Sequence, residues 1–199
     1  MPAKITSWTE TTPKERSPPP PERISNHRWF TERMNALYQE MRSELPLYIQ
    51  KTAEEKMRNH SLAGLAKEQE VMGLMLGGAF THDGRIYAIV RDVVTTNLDA
   101  SISSVRFHEE SMEGLFDSLD DLDFEYSIVG WYHSHPGMGC FMSETDVGTQ
   151  QGVFNLPHHS ALVLDPLNHE LEAYYIHENR VKLRAMGIYW DEYQDPYRG

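Results

Sequence analysis

This sequence has a single cysteine, no long apolar run and no excess of positive charge, and each shortage removes a class of function. One cysteine, Cys140, excludes an internal disulfide and fits a reducing compartment, so a cytoplasmic location is expected. No stretch approaches the ~20 apolar residues of a membrane helix. The chain opens on polar, proline-rich sequence rather than a charged-then-apolar leader. With a formal net charge of −12, non-specific binding to nucleic acid or anionic membranes is disfavoured. The acidic balance suits a basic protein partner, and equally suits plain solubility. At 199 residues the chain is long enough for one domain with a real core and an appended arm.

Three regions are expected: a Pro-rich arm over 1–23, an N-terminal amphipathic helix within 24–46, and a main domain over 47–199. The arm carries prolines at 2, 13 and 18–21 and reads as extended or disordered. From Asn26, Phe30, Met34, Leu37, Tyr38 and Met41 recur at helical spacing, predicting a helix to Leu45 that stops before Pro46. Leu47–Ile49 reads as a strand, and Thr52-x-x-Glu55 as a capping box opening a helix to about Ala66. Strands are expected over 71–80 and 85–94, joined through His82-Asp83-Gly84. Residues 95–106 read as a loop, 107–119 as a helix, and 117–123 as an acidic connector. Further strands are expected at 126–133, 160–164, 170–176 and 180–186. His158, His159, His169 and His177 are read as surface residues. The pattern predicts an α+β fold, a sheet flanked by helices.

One stretch states a chemistry: Gly130-Trp131-Tyr132-His133-Ser134-His135-Pro136, followed by Ser143 and Asp146. Histidines at i and i+2 at the end of an apolar run point to the same side of an extended backbone. Among ten histidines such a pair also arises by chance as a surface pair. Asp146 is placed to add a third ligand once the Gly137–Gly139 region turns the chain back. Two imidazoles and a carboxylate leave the fourth position of a tetrahedral zinc open to water, as in catalytic rather than structural sites. Ser143-x-x-Asp146 is also an ordinary helix-capping arrangement, and both readings hold together. Upstream, Glu70 heads the apolar segment Val71–Gly78. It suits a general base that does not ligate metal, or a solvated loop carboxylate. Cys140 is read as packing beside the metal site rather than as a nucleophile.

Together Glu70, His133, His135, Ser143 and Asp146 resemble the signature of the JAMM (MPN+) zinc metalloproteases, of the proteasome-lid deubiquitinase and signalosome deneddylase type. Glu70-Val-Met-Gly-Leu-Met-Leu-Gly77, Gly130-Trp-Tyr-His-Ser-His-Pro-Gly137, Gly139-Cys140 and Asp146-Val-Gly-Thr-Gln150 carry the likeness, which spans about Leu47 to Ile188. The resemblance implies an MPN domain with a mixed central sheet flanked by helices. It implies one catalytic Zn2+ on His133, His135 and Asp146, with Glu70 as general base and Ser143 as oxyanion donor. The expected activity is that of a zinc-dependent isopeptidase acting on ubiquitin or ubiquitin-like conjugates.

Other readings stay open: a JAMM peptidase on another small modifier or a non-modifier substrate, or a scaffold module of a larger complex. A proteasome-related or other protein complex is an expected partner. Gly199 follows the last strand closely, without the long C-terminal helices by which the lid and signalosome enzymes join their complexes. The helix from Asn26 to Leu45 is expected to substitute, or the protein to work alone. Residues 95–106 are expected to form a loop over the substrate groove.

Overall fold

A two-residue turn at Asp83 and Gly84 organises the sheet. Both residues have positive φ, 48° and 74°, the requirement of the tight hairpin turn that matches strand twist. The computed structural model describes residues 13–95 and 127–190. In chain order these form β1 (Lys14–Glu15), β2 (Ile24–Ser25), α1 (Glu32–Met41), β3 (Leu47–Gln50), α2 (Lys51–Leu65), β4 (Met72–His82) and β5 (Arg85–Thr95). After the undescribed segment come β6 (Ser127–Ser134), α3 (Glu144–Gly152), β7 (Ser160–Asp165), β8 (Glu170–His177), β9 (Arg180–Leu183) and β10 (Met186–Tyr189). The loop, helix and acidic connector expected between Thr95 and Asp123 lie outside the described residues, apart from Thr95 itself.

The strands form one mixed sheet in the order β2-β10-β3-β5-β4-β6-β7-β8-β9, with β1 parallel on Phe80 and Thr81 of β4. This agrees with the expected α+β class. Register slips occur in β4 at Leu76/Gly77 against β5 and at Met75/Leu76 against β6, which sharpen its bend. A Cβ at Gly77 would lie 1.8 Å from the Ile89 carbonyl oxygen, so only glycine permits that approach. The main core lies where α1 and α2 cover the sheet, around Met34, Leu47, Ile49, Met57 and Val90. A smaller cluster of Met72, Leu74, Trp131, Phe154 and Ala161 supports the end of β6.

Several expectations need correction. The first helix spans only Glu32–Met41, because Thr31 caps it by accepting the Met34 N–H at 3.2 Å. Ile24 and Ser25 are instead taken into the sheet edge by β10. The second helix starts at Lys51 directly from β3 with Gln50 as N-cap, so Thr52 sits inside the first turn and caps nothing. The strand expected over 180–186 is two strands. Arg184 turns inward, donating to the Pro157 carbonyl at 2.8 Å and lying 4.4 Å from the Tyr175 ring centre. The chain then leaves β8 to become β10, buried at every residue, at the far side of the sheet. His158 and His159 are buried, not on the surface. Burial lowers both imidazole pKa values, that of His159 to about 4, so both rings stay neutral.

Candidate metal centre

The end of β6 carries His133 and, one residue past the strand, His135, both 4% exposed. Their Nε2 atoms lie 3.1 Å apart. The Oδ2 of Asp146, from α3, lies 3.4 Å from the first and 3.6 Å from the second. Ligand atoms at ~2.1 Å around a tetrahedral ion are separated by roughly 3.4 Å, so these spacings fit one zinc-sized ion. Three Lewis-basic atoms facing one another this closely need a cation or a proton among them. Among the described residues, no other group of three or more His, Cys, Asp or Glu converges in this way.

Local sequence explains how each ligand is aimed. Trp131 stacks on His133 with centroids 4.6 Å apart, and Phe141 packs on His135 at 4.5 Å, fixing the ring planes. Trp131 Nε1 donates to Gln150 Oε1 at 2.8 Å, bolting α3 to β6. Asp146 is one turn before Gln150 on the same helix face, so the bolt turns its carboxylate toward the histidines. Ser143 caps α3: its Oγ accepts from Asp146 N at 3.2 Å, while its own N–H donates to Asp146 Oδ2 at 2.7 Å. Burial alone would raise the Asp146 pKa, but hydrogen bonds with His133, His135 and Ser143 outweigh it and hold it well below the usual carboxylate range. Burial lowers the pKa of His133, keeping it neutral and able to ligate. The Nδ1 atoms of both histidines are buried without a hydrogen-bond partner among the described residues. Metal-bound imidazoles usually have a partner there, and this pair departs from that habit.

Glu70 is half-buried two residues before β4 and contributes no atom to the three-ligand cluster. Burial raises its carboxyl pKa, with His135 opposing and Asp146 reinforcing the shift, so it lies within electrostatic range of both ligands. Cys140 is buried and donates through Sγ to the Val163 carbonyl at 3.2 Å. Burial, with Glu172 and Glu170 adding, pushes its thiol pKa far up, so it packs rather than attacks.

Asp165, at the end of β7, is a supporting residue the sequence reading missed. Its carboxylate accepts from the N–H groups of Gly137 (2.8 Å), Gly139 (2.7 Å), Leu167 (2.9 Å) and Asn168 (3.1 Å), and from Asn168 Nδ2 (2.7 Å). It thereby ties the loop after His135 to the β7–β8 turn. An Asp-Pro pair closing an apolar strand is the only local signal for such a role.

Residues 42–156, more than half of the chain, match the family described as JAB1/Mov34/MPN/PAD-1 ubiquitin protease. The chain is 37% identical over 123 residues to ubiquitin carboxyl-terminal hydrolase RPN11 of Saccharomyces cerevisiae, covering 61% of this chain and 39% of that protein. It is 33% identical over 153 residues to COP9 signalosome complex subunit 5 of Debaryomyces hansenii, covering 75% and 30%. It thus spans well under half the length of these curated relatives. A solution structure of a Desulfitobacterium hafniense protein superposes with a TM-score of 0.54 at 21% identity, covering 74% of this chain and 97% of that one, which supports the fold. With the matched segment containing Glu70, the two histidines, Ser143 and Asp146, the chain belongs to the JAB1/Mov34/MPN/PAD-1 ubiquitin protease family.

Proposed function

We propose that this chain is a zinc-dependent isopeptidase that removes ubiquitin or a ubiquitin-like modifier from lysine side chains of conjugated proteins in the cytoplasm. The observation that carries the reading is the convergence of His133, His135 and Asp146 at 3.1–3.6 Å in a family of ubiquitin proteases. Residues 47–199 would form the catalytic domain, with 24–46 docked on it and 1–23 as an arm. Zinc, held by the Nε2 atoms of His133 and His135 and the Asp146 carboxylate, would supply Lewis acidity toward water and the scissile carbonyl.

The chain's own residues do the rest. Glu70 accepts a proton from the attacking water as the new C–O bond forms, and its raised pKa makes it a better base than an ordinary carboxylate. It then delivers that proton to the lysine nitrogen as the C–N bond breaks, releasing a free amine and a modifier carboxylate. Ser143 Oγ uses a lone pair to accept from Asp146 N, which leaves its hydroxyl proton to donate to the oxyanion of the tetrahedral intermediate. Loss of one such donor costs about 3–4 kcal/mol of transition-state stabilisation.

The test is a panel of ubiquitin and ubiquitin-like conjugates incubated with zinc-loaded protein. Cleavage of at least one conjugate to free lysine amine is expected, with none by His135→Ala. Full zinc loading with every conjugate left intact would overturn the reading.

A further inference from the structure

The segment joining His135 to Asp146 has almost no backbone ladder to hold it, since the chain between the end of β6 and the start of α3 forms only turns and bends. Its position therefore depends on side chains reaching it from outside. Asp165 holds Gly137 and Gly139 from one side. On the other side the contact comes from α1: Arg33 Nη2 donates to the Cys140 carbonyl at 3.1 Å.

Arg33 is itself held. Its Nε and Nη2 donate to the two carboxylate oxygens of Glu172 at 2.6 and 2.5 Å, a bidentate fork. Glu172 is fully buried in β8, and it also accepts from Thr31 Oγ1 and Tyr174 Oη. A buried carboxylate with this many donors is a fixed point, and the guanidinium projects from it to the loop. Arg33 and Glu172 both lie outside residues 42–156, so the brace is built from parts that the family match does not include and meets it at Cys140.

We infer that Arg33 is a positioning residue that, anchored on Glu172, holds the Cys140 carbonyl and so fixes the spacing between His135 and Asp146. The inference rests on the proposed reading of the site and adds the N-terminal helix to its supporting structure. Ligand atoms separated by only 3.1–3.6 Å tolerate little displacement of the loop that joins them. A misplacement of about 1 Å commonly costs about 100-fold in rate.

The chain's single cysteine reports the loop directly, because Cys140 Sγ is buried under it. The experiment compares wild type with Arg33→Lys, which keeps a cation beside Glu172 but cannot span both carboxylate oxygens and the Cys140 carbonyl. Three quantities are read: the rate of Cys140 with an aromatic disulfide under native conditions, the visible spectrum of the cobalt(II)-loaded site, and kcat and KM separately. Met57→Ala, a core change in α2, controls for general loss of stability. Expected for Arg33→Lys are a thiol rate at least tenfold faster than in Met57→Ala at matched distance below Tm, an altered cobalt spectrum, and kcat about tenfold lower with KM within twofold. Equal thiol rates in the two variants overturn the brace. A faster thiol with unchanged spectrum and kcat overturns the positioning role. If wild type binds no cobalt and cleaves nothing, the isopeptidase reading falls, while the thiol comparison still decides whether Arg33 holds the loop.

Discussion

Ser134 and Val71 form a reciprocal pair across β6 and the start of β4. The Ser134 hydroxyl accepts the Val71 N–H at 2.9 Å, and the Ser134 N–H donates to the Val71 carbonyl at 2.9 Å. Ser134 lies between the two histidines and Val71 directly follows Glu70, so the pair fixes the proposed base against the proposed ligands. Ser134→Ala leaves the Val71 N–H without its acceptor, at a cost of about 1–3 kcal/mol. The expected outcome is a lower kcat with metal content unchanged. A variant that lost metal but kept its per-metal turnover would show that Ser134 serves the ligands and not Glu70.

Glu70→Gln is expected to keep the fold and one zinc per chain while abolishing cleavage, since the near-isosteric amide cannot accept a proton. His133→Ala should lose close to one equivalent of zinc. Metal analysis of wild type and the two variants, run beside the conjugate assay, separates the roles. Substantial turnover by zinc-loaded Glu70→Gln would mean that another group is the base.

The hairpin and the His133/His135 spacing were legible because they depend on neighbours in sequence: alternation, a turn needing positive φ, and side chains two apart on a strand. Ser143 and Asp146 were legible for the same reason, since a capping box closes within one helical turn. What escaped was set by distant partners. Thr31 starts the first helix late, at Glu32, while its hydroxyl reaches Glu172, far along the chain. Arg180–Met186 reads as one strand until the buried Arg184 side chain turns the backbone toward a different edge of the sheet. Asp165, Arg33 and Gln150 act on the site through contacts that no local spacing encodes.

Asp165 gives a pH signature. Burial alone would raise its pKa, but the N–H groups of Gly137, Asn168 and Gly139 outweigh it and depress the carboxyl. A depressed folded-state pKa contributes stability that is present above the unfolded value of about 3.9 and is lost as pH falls toward the folded value. Asp165→Asn should therefore be destabilising at pH 7, by roughly 1–3 kcal/mol for the N–H groups left without a charged acceptor, and the gap from wild type should narrow in denaturant melts below about pH 4. A gap that stayed constant from pH 7 to pH 3 would assign the loss to packing rather than to the charge.

Removing residues before Leu47 should unfold the protein, whereas removing those before Arg23 should not. Trp29, Phe30, Met34 and Tyr38 are buried to 3%, 7%, 0% and 7% exposure, each worth roughly 1.5–3 kcal/mol. Their sum, about 6–12 kcal/mol, is comparable to the entire net stability of a typical domain, about 5–15 kcal/mol. Ile24 and Ser25 also cover the edge of β10, which would otherwise present an unpaired strand. The residues described before Arg23 contribute less: β1 is exposed at both residues and pairs only with Phe80 and Thr81 of β4. The added attachments are the Thr81 hydroxyl to Glu15, the Arg16 N–H to the Thr81 carbonyl, Arg16 over the Phe80 ring and the Tyr87 hydroxyl to the Arg16 carbonyl. Thermal melting of chains beginning at Arg23 and at Leu47 decides between the two roles. A chain beginning at Leu47 that melts cooperatively near the full-length temperature would make the N-terminal helix an appendage. A Tm for the Arg23 chain more than about 5 °C below full length would instead make the arm part of the folded domain.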